Sequence, residues 1–347
     1  MKWQHHEFAG INVRVLTWLV LGCFLGGLIL FPVVPARAQG AAPPLMEKPP
    51  GEPSVPAEKK EEKEEVPSTC GPCITDTCVP IETGKLAMQL LFANEFGVGN
   101  FTNNWRQVSA HENFYNFYTN LKVTYGPTKN LETYIVIPYI YRWITDANRS
   151  IAGPNGERNA SFNSIGDITM IGKYLLLPET DYRPAVAGVA GLTVPTGHAS
   201  HLNPRFLGAD STGAGAVIFY TGFNLFKYIK PFLVHGQLWF QAPVNAYQQR
   251  PDNVRSRSTV TANLAVEYPL TKQWIILCEV FSNWTWTNIN PINQSFATTQ
   301  TQIGVMPAIE YIINDKWSCA LGAGFELWGK NGDIEYYPML TVNYSVW

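Results

Sequence analysis

Cys70-Gly71-Pro72-Cys73, followed by Cys78, is the run of residues in this chain best suited to chemistry. A Cys-x-x-Cys dithiol exchanges disulfides when a helix N-terminus or a nearby cation lowers the pKa of one thiol. Here the motif follows a polar linker, with no strand-helix-strand pattern around it, so an oxidoreductase centre is not expected. Three thiols without a fourth ligand nearby do not complete a zinc site. The expectation is a small disulfide loop among Cys70, Cys73 and Cys78 in an oxidising compartment, with one thiol left over. His198 and His201 stand close together on a loop without a neighbouring carboxylate and read as plain loop residues, so no metal site is expected. His235 has Leu233 and Gln237 as its same-face neighbours on a strand, and neither is a nucleophile. No Gly-x-Ser-x-Gly occurs, and Gly213-Ala214-Gly215 lacks the downstream features of a phosphate loop. No catalytic residue, enzyme activity or cofactor is expected.

The other polar candidates are charges set into strands. Lys122, Glu132, Arg142, Asp167, Lys173, His235, Gln237, Glu267, Glu279, Glu310 and Glu326 fall on the polar parity of their segments. If those segments close into a barrel, these side chains point inward. They are expected either to line a pore and bias which solutes pass, or to fill a narrow lumen with ion pairs and hydrogen bonds.

The elements that must position them run with a period of two. In 259–268, Val260, Ala262, Leu264, Val266 and Tyr268 share one face while Thr259, Thr261, Asn263 and Glu267 share the other. Segments 131–143 and 317–327 repeat the pattern. Such runs exceed the usual soluble strand and match the 9–11 residues that a tilted strand needs to cross a bilayer. Strands are expected near 85–93, 112–125, 131–143, 165–176, 184–195, 214–225, 230–241, 259–268, 274–287, 298–311, 317–328 and 335–347. Tight turns follow the even strands, at 126–130, 178–181, 226–229, 269–272 and 314–316. Longer polar loops follow most odd ones, at 94–111, 144–164, 196–213, 242–258 and 288–297. Short turns at one end and long loops at the other are the asymmetry of outer-membrane barrels, and an even count brings both ends of the barrel sequence to the short-turn side. Tyr139, Tyr141, Trp143, Trp274, Trp284 and Trp286 lie where strands should meet the membrane interfaces. Charged residues make up only 15% of the chain and aromatics 13%, which fits a surface that does not all face water.

Residues 1–38 read as a signal peptide, with Lys2 and Arg14 before an apolar stretch and Ala36-Arg37-Ala38 as a cleavage site. Residues 39–69 form a linker rich in Pro, Glu and Lys that cannot bury a core and is expected to be disordered. The cysteine segment occupies 70–83 and the barrel 84–347. The fold class is all-β: a transmembrane, antiparallel, up-and-down β-barrel of about 12 strands with a disordered N-terminal extension. The net charge of -2 leaves no basic footprint for nucleic acid.

Four segments carry a family resemblance: 123–132 (VTYGPTKNLE), 165–174 (IGDITMIGKY), 190–197 (AGLTVPTG) and 266–274 (VEYPLTKQW). Together they resemble the family named for the MetA pathway of phenol degradation, across most of 85–347. The resemblance implies an outer-membrane transporter, hence a channel for passive uptake of small molecules, hydrophobic or aromatic ones included. Its partners would be outer-membrane lipid, the solute and the barrel-assembly machinery, with the linker in the periplasm. Two alternatives stay open: a structural or adhesion barrel that binds an external partner through its loops, and a soluble exported β-rich binding protein.

Overall fold

The computed structural model describes residues 69–109, 113–147, 149, 152–244, 258–286 and 299–346. The expected signal peptide, all but the last residue of the linker, and Trp347 lie outside the described residues.

Alternation decides the architecture. An apolar residue at every second position gives a strand two unlike faces, and a closed sheet hides one of them from the membrane. The strands are β1 (Leu86–Phe101), β2 (Gln107–Ser109), β3 (Asn113–Thr128), β4 (Leu131–Thr145), β5 (Ala160–Ile165), β6 (Ile168–Leu177) and β7 (Ala185–Val194). They continue as β8 (Val217–Ile229), β9 (Phe232–Val244), β10 (Ser258–Pro269), β11 (Trp274–Trp286), β12 (Gln300–Ile312), β13 (Trp317–Lys330) and β14 (Asp333–Val346). Each main strand pairs antiparallel with its sequence neighbours, and β14 returns to β1 with Leu86 opposite Val346. β2 is a short piece on the edge of β1, and β5 and β6 share one position beside β4, so the closed wall has twelve staves. Closure leaves no unpaired edge for lipid to meet. Among the described residues no helix is long and apolar enough to cross a membrane, and these strands make the barrel of the outer-membrane type.

One parity faces out. Phe219, Phe223 and Leu225 on β8, Leu238 and Phe240 on β9, and Leu321 and Phe325 on β13 are exposed, as lipid-facing residues must be. The other parity is buried: Glu267 and Glu279 are 0% exposed although the wall is one residue thick, so something fills the lumen beside them. Aromatic side chains gather at both rims. Trp274 stacks near Tyr311 at 4.5 Å and Trp317 near Tyr344 at 4.4 Å at the short-turn end, and Tyr115 stacks on Trp143 at 5.1 Å at the other.

Several boundaries differ from the expected ones. β1 continues through Glu95 to Phe101 because Gly97 and Gly99 are absorbed by a bulge against β14. The turn expected at 226–229 is strand, and β8 reverses into β9 only after Ile229. The strand expected at 165–176 starts at Ala160 and is interrupted by Gly166 and Asp167. The alternating turn lengths hold except at β13 and β14, which are joined tightly on the long-loop side through Asn331 (φ 53°) and Gly332.

Candidate functional site

What fills the lumen at the short-turn end is the chain's own segment before β1. Thr69 to Glu82 touches inward side chains from opposite sides of the wall, so it crosses the interior. On one side, the Glu279 carboxylate of β11 accepts hydrogen bonds from the backbone N–H groups of Cys73 (2.6 Å), Ile74 (3.1 Å) and Thr75 (2.7 Å). Successive N–H groups that converge on one carboxylate form an anion-binding nest. Glu310 of β12 accepts from Cys70 N–H at 3.0 Å and from the Thr69 hydroxyl at 3.1 Å. Gln237 of β9 accepts from Asp76 N–H at 2.7 Å.

On the other side, the Asp76 carboxylate lies 3.3 Å from Lys122 of β3 and 3.6 Å from Lys173 of β6, and it accepts a hydrogen bond from Asn224 of β8 at 2.8 Å. Lys173 is fully buried; it also donates to the Thr77 carbonyl at 2.6 Å and pairs with Glu132 of β4 at 2.9 Å. Glu132 in turn accepts from Ile81 N–H at 2.9 Å. Burial pushes the Asp76 pKa up, but Lys173, Lys122 and the Asn224 bond outweigh it and hold the carboxyl below its ordinary 3.8. The segment is therefore docked by charge and by backbone donors at once. Ile74 and Cys73 add apolar contact with Leu91, Phe281, Met306 and Tyr337 of the inner wall. A cavity of about 880 Å³ lies beside the segment, lined by Lys122, Glu132, Tyr134, Phe226, His235 and Trp239 among others.

Seven of the charged residues expected to point inward meet at this level: Lys122, Glu132, Lys173, His235, Glu267, Glu279 and Glu310. His235 and Glu267 approach each other at 3.1 Å, both buried. Two more stand nearer the long-loop end. Arg142 donates to Asn116 at 3.3 Å and to the Ser211 carbonyl of the loop between β7 and β8. Glu326 accepts from Glu335 N–H at 3.0 Å. Asp167 is apart from both groups, in the interruption between β5 and β6. Its carboxylate accepts from Gly197 N–H at 2.8 Å and Ala214 N–H at 2.6 Å, and so ties down that same loop.

Cys70, Cys73 and Cys78 are free thiols in the structure. Cys70 Sγ lies 2.6 Å from Ser318 Oγ, whereas Cys78 packs among Ala185, Ala187, Phe226 and Leu233. Burial, and then the charge of Glu310, pushes the Cys70 thiol up to about 12. Burial pushes Cys78 up to about 11 against the opposing effect of Lys173. Among the described residues no three His, Cys, Asp or Glu side chains are grouped to hold a metal ion.

Sequence reasoning missed the partners on the inserted segment, Asp76 above all, and also Asn224, Asn116, Glu95 and Glu335. Inward parity could have found Asn224, which sits two residues from Phe226 on β8. Nothing in the cysteine run signals that it enters the lumen.

Comparison with known proteins agrees with the architecture. Residues 95–336 match the family described as "Putative MetA-pathway of phenol degradation". The fold is similar to that of an outer membrane channel from Pseudomonas putida F1, with a TM-score of 0.62 and 13% identity over 78% of this chain and 98% of that one. A looser similarity is found to the KdgM porin, with a TM-score of 0.41 and 8% identity over 75% of this chain and 99% of that one. No curated protein matches the chain in sequence.

Proposed function

The chain belongs to the family named for the MetA pathway of phenol degradation, and on that premise we propose that it is an outer-membrane channel for the passive uptake of small molecules, closed at its periplasmic end by residues 69–82. The observation that carries this is the docking of that segment. Seven inward charges converge where a transported solute would have to pass, and the chain's own backbone and Asp76 satisfy most of them. The apolar outer parity and the two aromatic rims place the wall in lipid. The short turns and the inserted segment then face the periplasm, the linker lies there, and the barrel-assembly machinery folds the chain into the membrane. Lys122, Glu132, Lys173, Glu279 and Glu310 belong to the solute pathway once the segment withdraws, while Arg142 and Glu326 line its outer half.

Purified protein in planar bilayers tests this. Discrete conductance steps that rise when residues 69–82 are deleted are expected. Absence of both conductance and solute flux into liposomes, with or without the segment, would refute the channel.

A further inference from the structure

One stave of the wall is incomplete, and the break lies away from the charged end. Among the described residues β5 has β4 as its one strand partner, because β7 stops at Val194, opposite Ile168, short of β5. The loop between β7 and β8 stands where a longer β7 would have run, and side chains hold it there. Asp167 accepts from Gly197 N–H at 2.8 Å and from Ala214 N–H at 2.6 Å. The Thr196 hydroxyl donates to the Gly166 carbonyl at 2.7 Å and accepts from Ile168 N–H at 3.0 Å. The Thr212 hydroxyl reaches the Ile165 carbonyl at 3.4 Å, and Arg142 donates to the Ser211 carbonyl. A strand ladder ties the wall along its whole length, whereas this seam is tied at separate points.

The seam is apolar on both sides. Outside, Ile165, Met170 and Phe219 are exposed on the lipid-facing parity, with Ile165 opposite Tyr139. Inside, Phe114, Phe162 and Leu207 pack against Ile144 and Ala209, and Phe162 meets Phe206 at 5.3 Å. The periplasmic end has the opposite character. Asp76, Glu132, Lys173, Glu279 and Glu310 stand there in a bonded network, to which Ser318 adds a hydroxyl for Glu310. An apolar molecule forced through that network would part its groups and replace none of their bonds. At the seam it would move from one apolar surface to another.

We propose, resting on the channel reading above, that the seam between β5 and the β7–β8 loop is a lateral exit. Apolar solutes pass through it from the lumen into the outer leaflet while residues 69–82 stay docked.

Vesicles with a lipopolysaccharide outer leaflet and a phospholipid inner leaflet, carrying the full-length protein, test this with N-phenyl-1-naphthylamine, an apolar dye that brightens in the acyl interior. Cys70 Sγ lies 2.6 Å from Ser318 Oγ, so Ser318→Cys brings two sulfurs within reach of a disulfide that pins the segment. Oxidising this variant with copper phenanthroline should leave dye entry equal to that of its reduced form. A Cβ on Gly213 would lie 2.5 Å from Asp167 Oδ1, so Asp167→Cys with Gly213→Cys joins the loop to the wall. Oxidising that pair should lower dye entry to the rate of protein-free vesicles, and reduction should restore it. The unaltered protein treated alongside should respond to neither reagent. If the paired variant does not fold, the pinned segment alone decides. Loss of dye entry on pinning, or equal entry through the oxidised and reduced seam, would overturn this proposal and leave the channel standing. Conductance without dye entry would do the same, and absence of both would overturn the channel as well.

Discussion

Replacing Asp76 by Ala removes the one carboxylate through which the inserted segment meets the basic wall. Breaking a buried ion pair from one side costs about 3–5 kcal/mol where the remaining charge is left alone. Here it is not left alone. Lys173 keeps Glu132 at 2.9 Å and the Thr77 carbonyl at 2.6 Å. Lys122 has a side chain 26% exposed and rests 4.1 Å from the centre of the Tyr134 ring, so water and the ring screen its loss. The Asn224 donor at 2.8 Å loses its acceptor but retains the Thr77 carbonyl at 2.9 Å. The penalty on docking falls accordingly to about 2 kcal/mol, a shift of roughly 30-fold between docked and withdrawn segment. Single-channel recording reads this as time spent at low and high conductance. Asp76→Ala should raise the ratio of high- to low-conductance dwell by roughly 30-fold, and Thr69→Ala, which removes one peripheral hydroxyl donor to Glu310, should change it by less than about tenfold. If Asp76→Ala left the dwell ratio within about threefold of the unaltered protein, the segment would not be held by these charges and the docking argument would fail.

The same carboxyl sets a pH window. Its docked pKa lies below the ordinary 3.8, so its contribution to docking is complete above that value and is lost as pH falls through the docked pKa. The difference in dwell ratio between Asp76→Ala and the unaltered protein should stay constant from about pH 7 to pH 5 and shrink only below 3.8. A difference that disappeared between pH 7 and 6 would contradict it. The thiol of Cys70, raised to about 12 from 9.0, should react with iodoacetamide at pH 8 more slowly than in the denatured chain. Mass spectrometry of alkylated peptides reads this, and Asp76→Ala should accelerate it. At Gly324 of β13 an added Cβ would overlap the Tyr337 ring, which lies across the glycine from β14. Gly324→Ala should cost about 1–3 kcal/mol, read as a lowered urea midpoint of the heat-modifiable band. A midpoint unchanged from the unaltered protein would show that the ring moves freely.

The wall was legible because its rule is local. Every second residue of 259–268 or 317–327 declares its face, and Gly, Pro and Asn mark the reversals, so the parity of Glu267, Glu279 and Glu310 followed without any knowledge of their neighbours. The breaks in the wall were less legible because glycine has two meanings. Gly97 and Gly99 look like loop residues but serve as a bulge, and Gly166 with Asp167 looks like the start of a strand but divides one. The site was half legible. Its wall residues were named, but whether they lined an open pore or met interior partners depends on a contact between residues as distant in sequence as Cys73 and Glu279. No periodicity encodes such a contact, and the Cys-Gly-Pro-Cys run drew the eye to its sulfurs when its backbone N–H groups are what the wall holds.

The inward charges did carry a quantitative hint. Glu132, Glu267, Glu279 and Glu310 at one level are opposed by Lys122, Lys173 and His235, and of these bases only Lys173 reaches Glu132 and only His235 reaches Glu267. Two carboxylates, Glu279 and Glu310, therefore have no basic partner among these wall residues and need further donors, of which the wall gives Glu310 only the Ser318 hydroxyl. Bulk water could supply them in a wide barrel, but a twelve-stave lumen lies between barrels that side chains fill and those that leave an aqueous channel. The remaining solution is an occupant with several N–H groups, and a tethered stretch of backbone satisfies that at little cost in association entropy because its own linker keeps it near. The tether also limits how tightly the segment should be bound. The segment rests on backbone donors, the Thr69 hydroxyl, one carboxylate and apolar contacts at Cys73, Ile74 and Cys78. Such contacts occupy the charged level of the lumen while leaving a cavity of about 880 Å³ beside the segment.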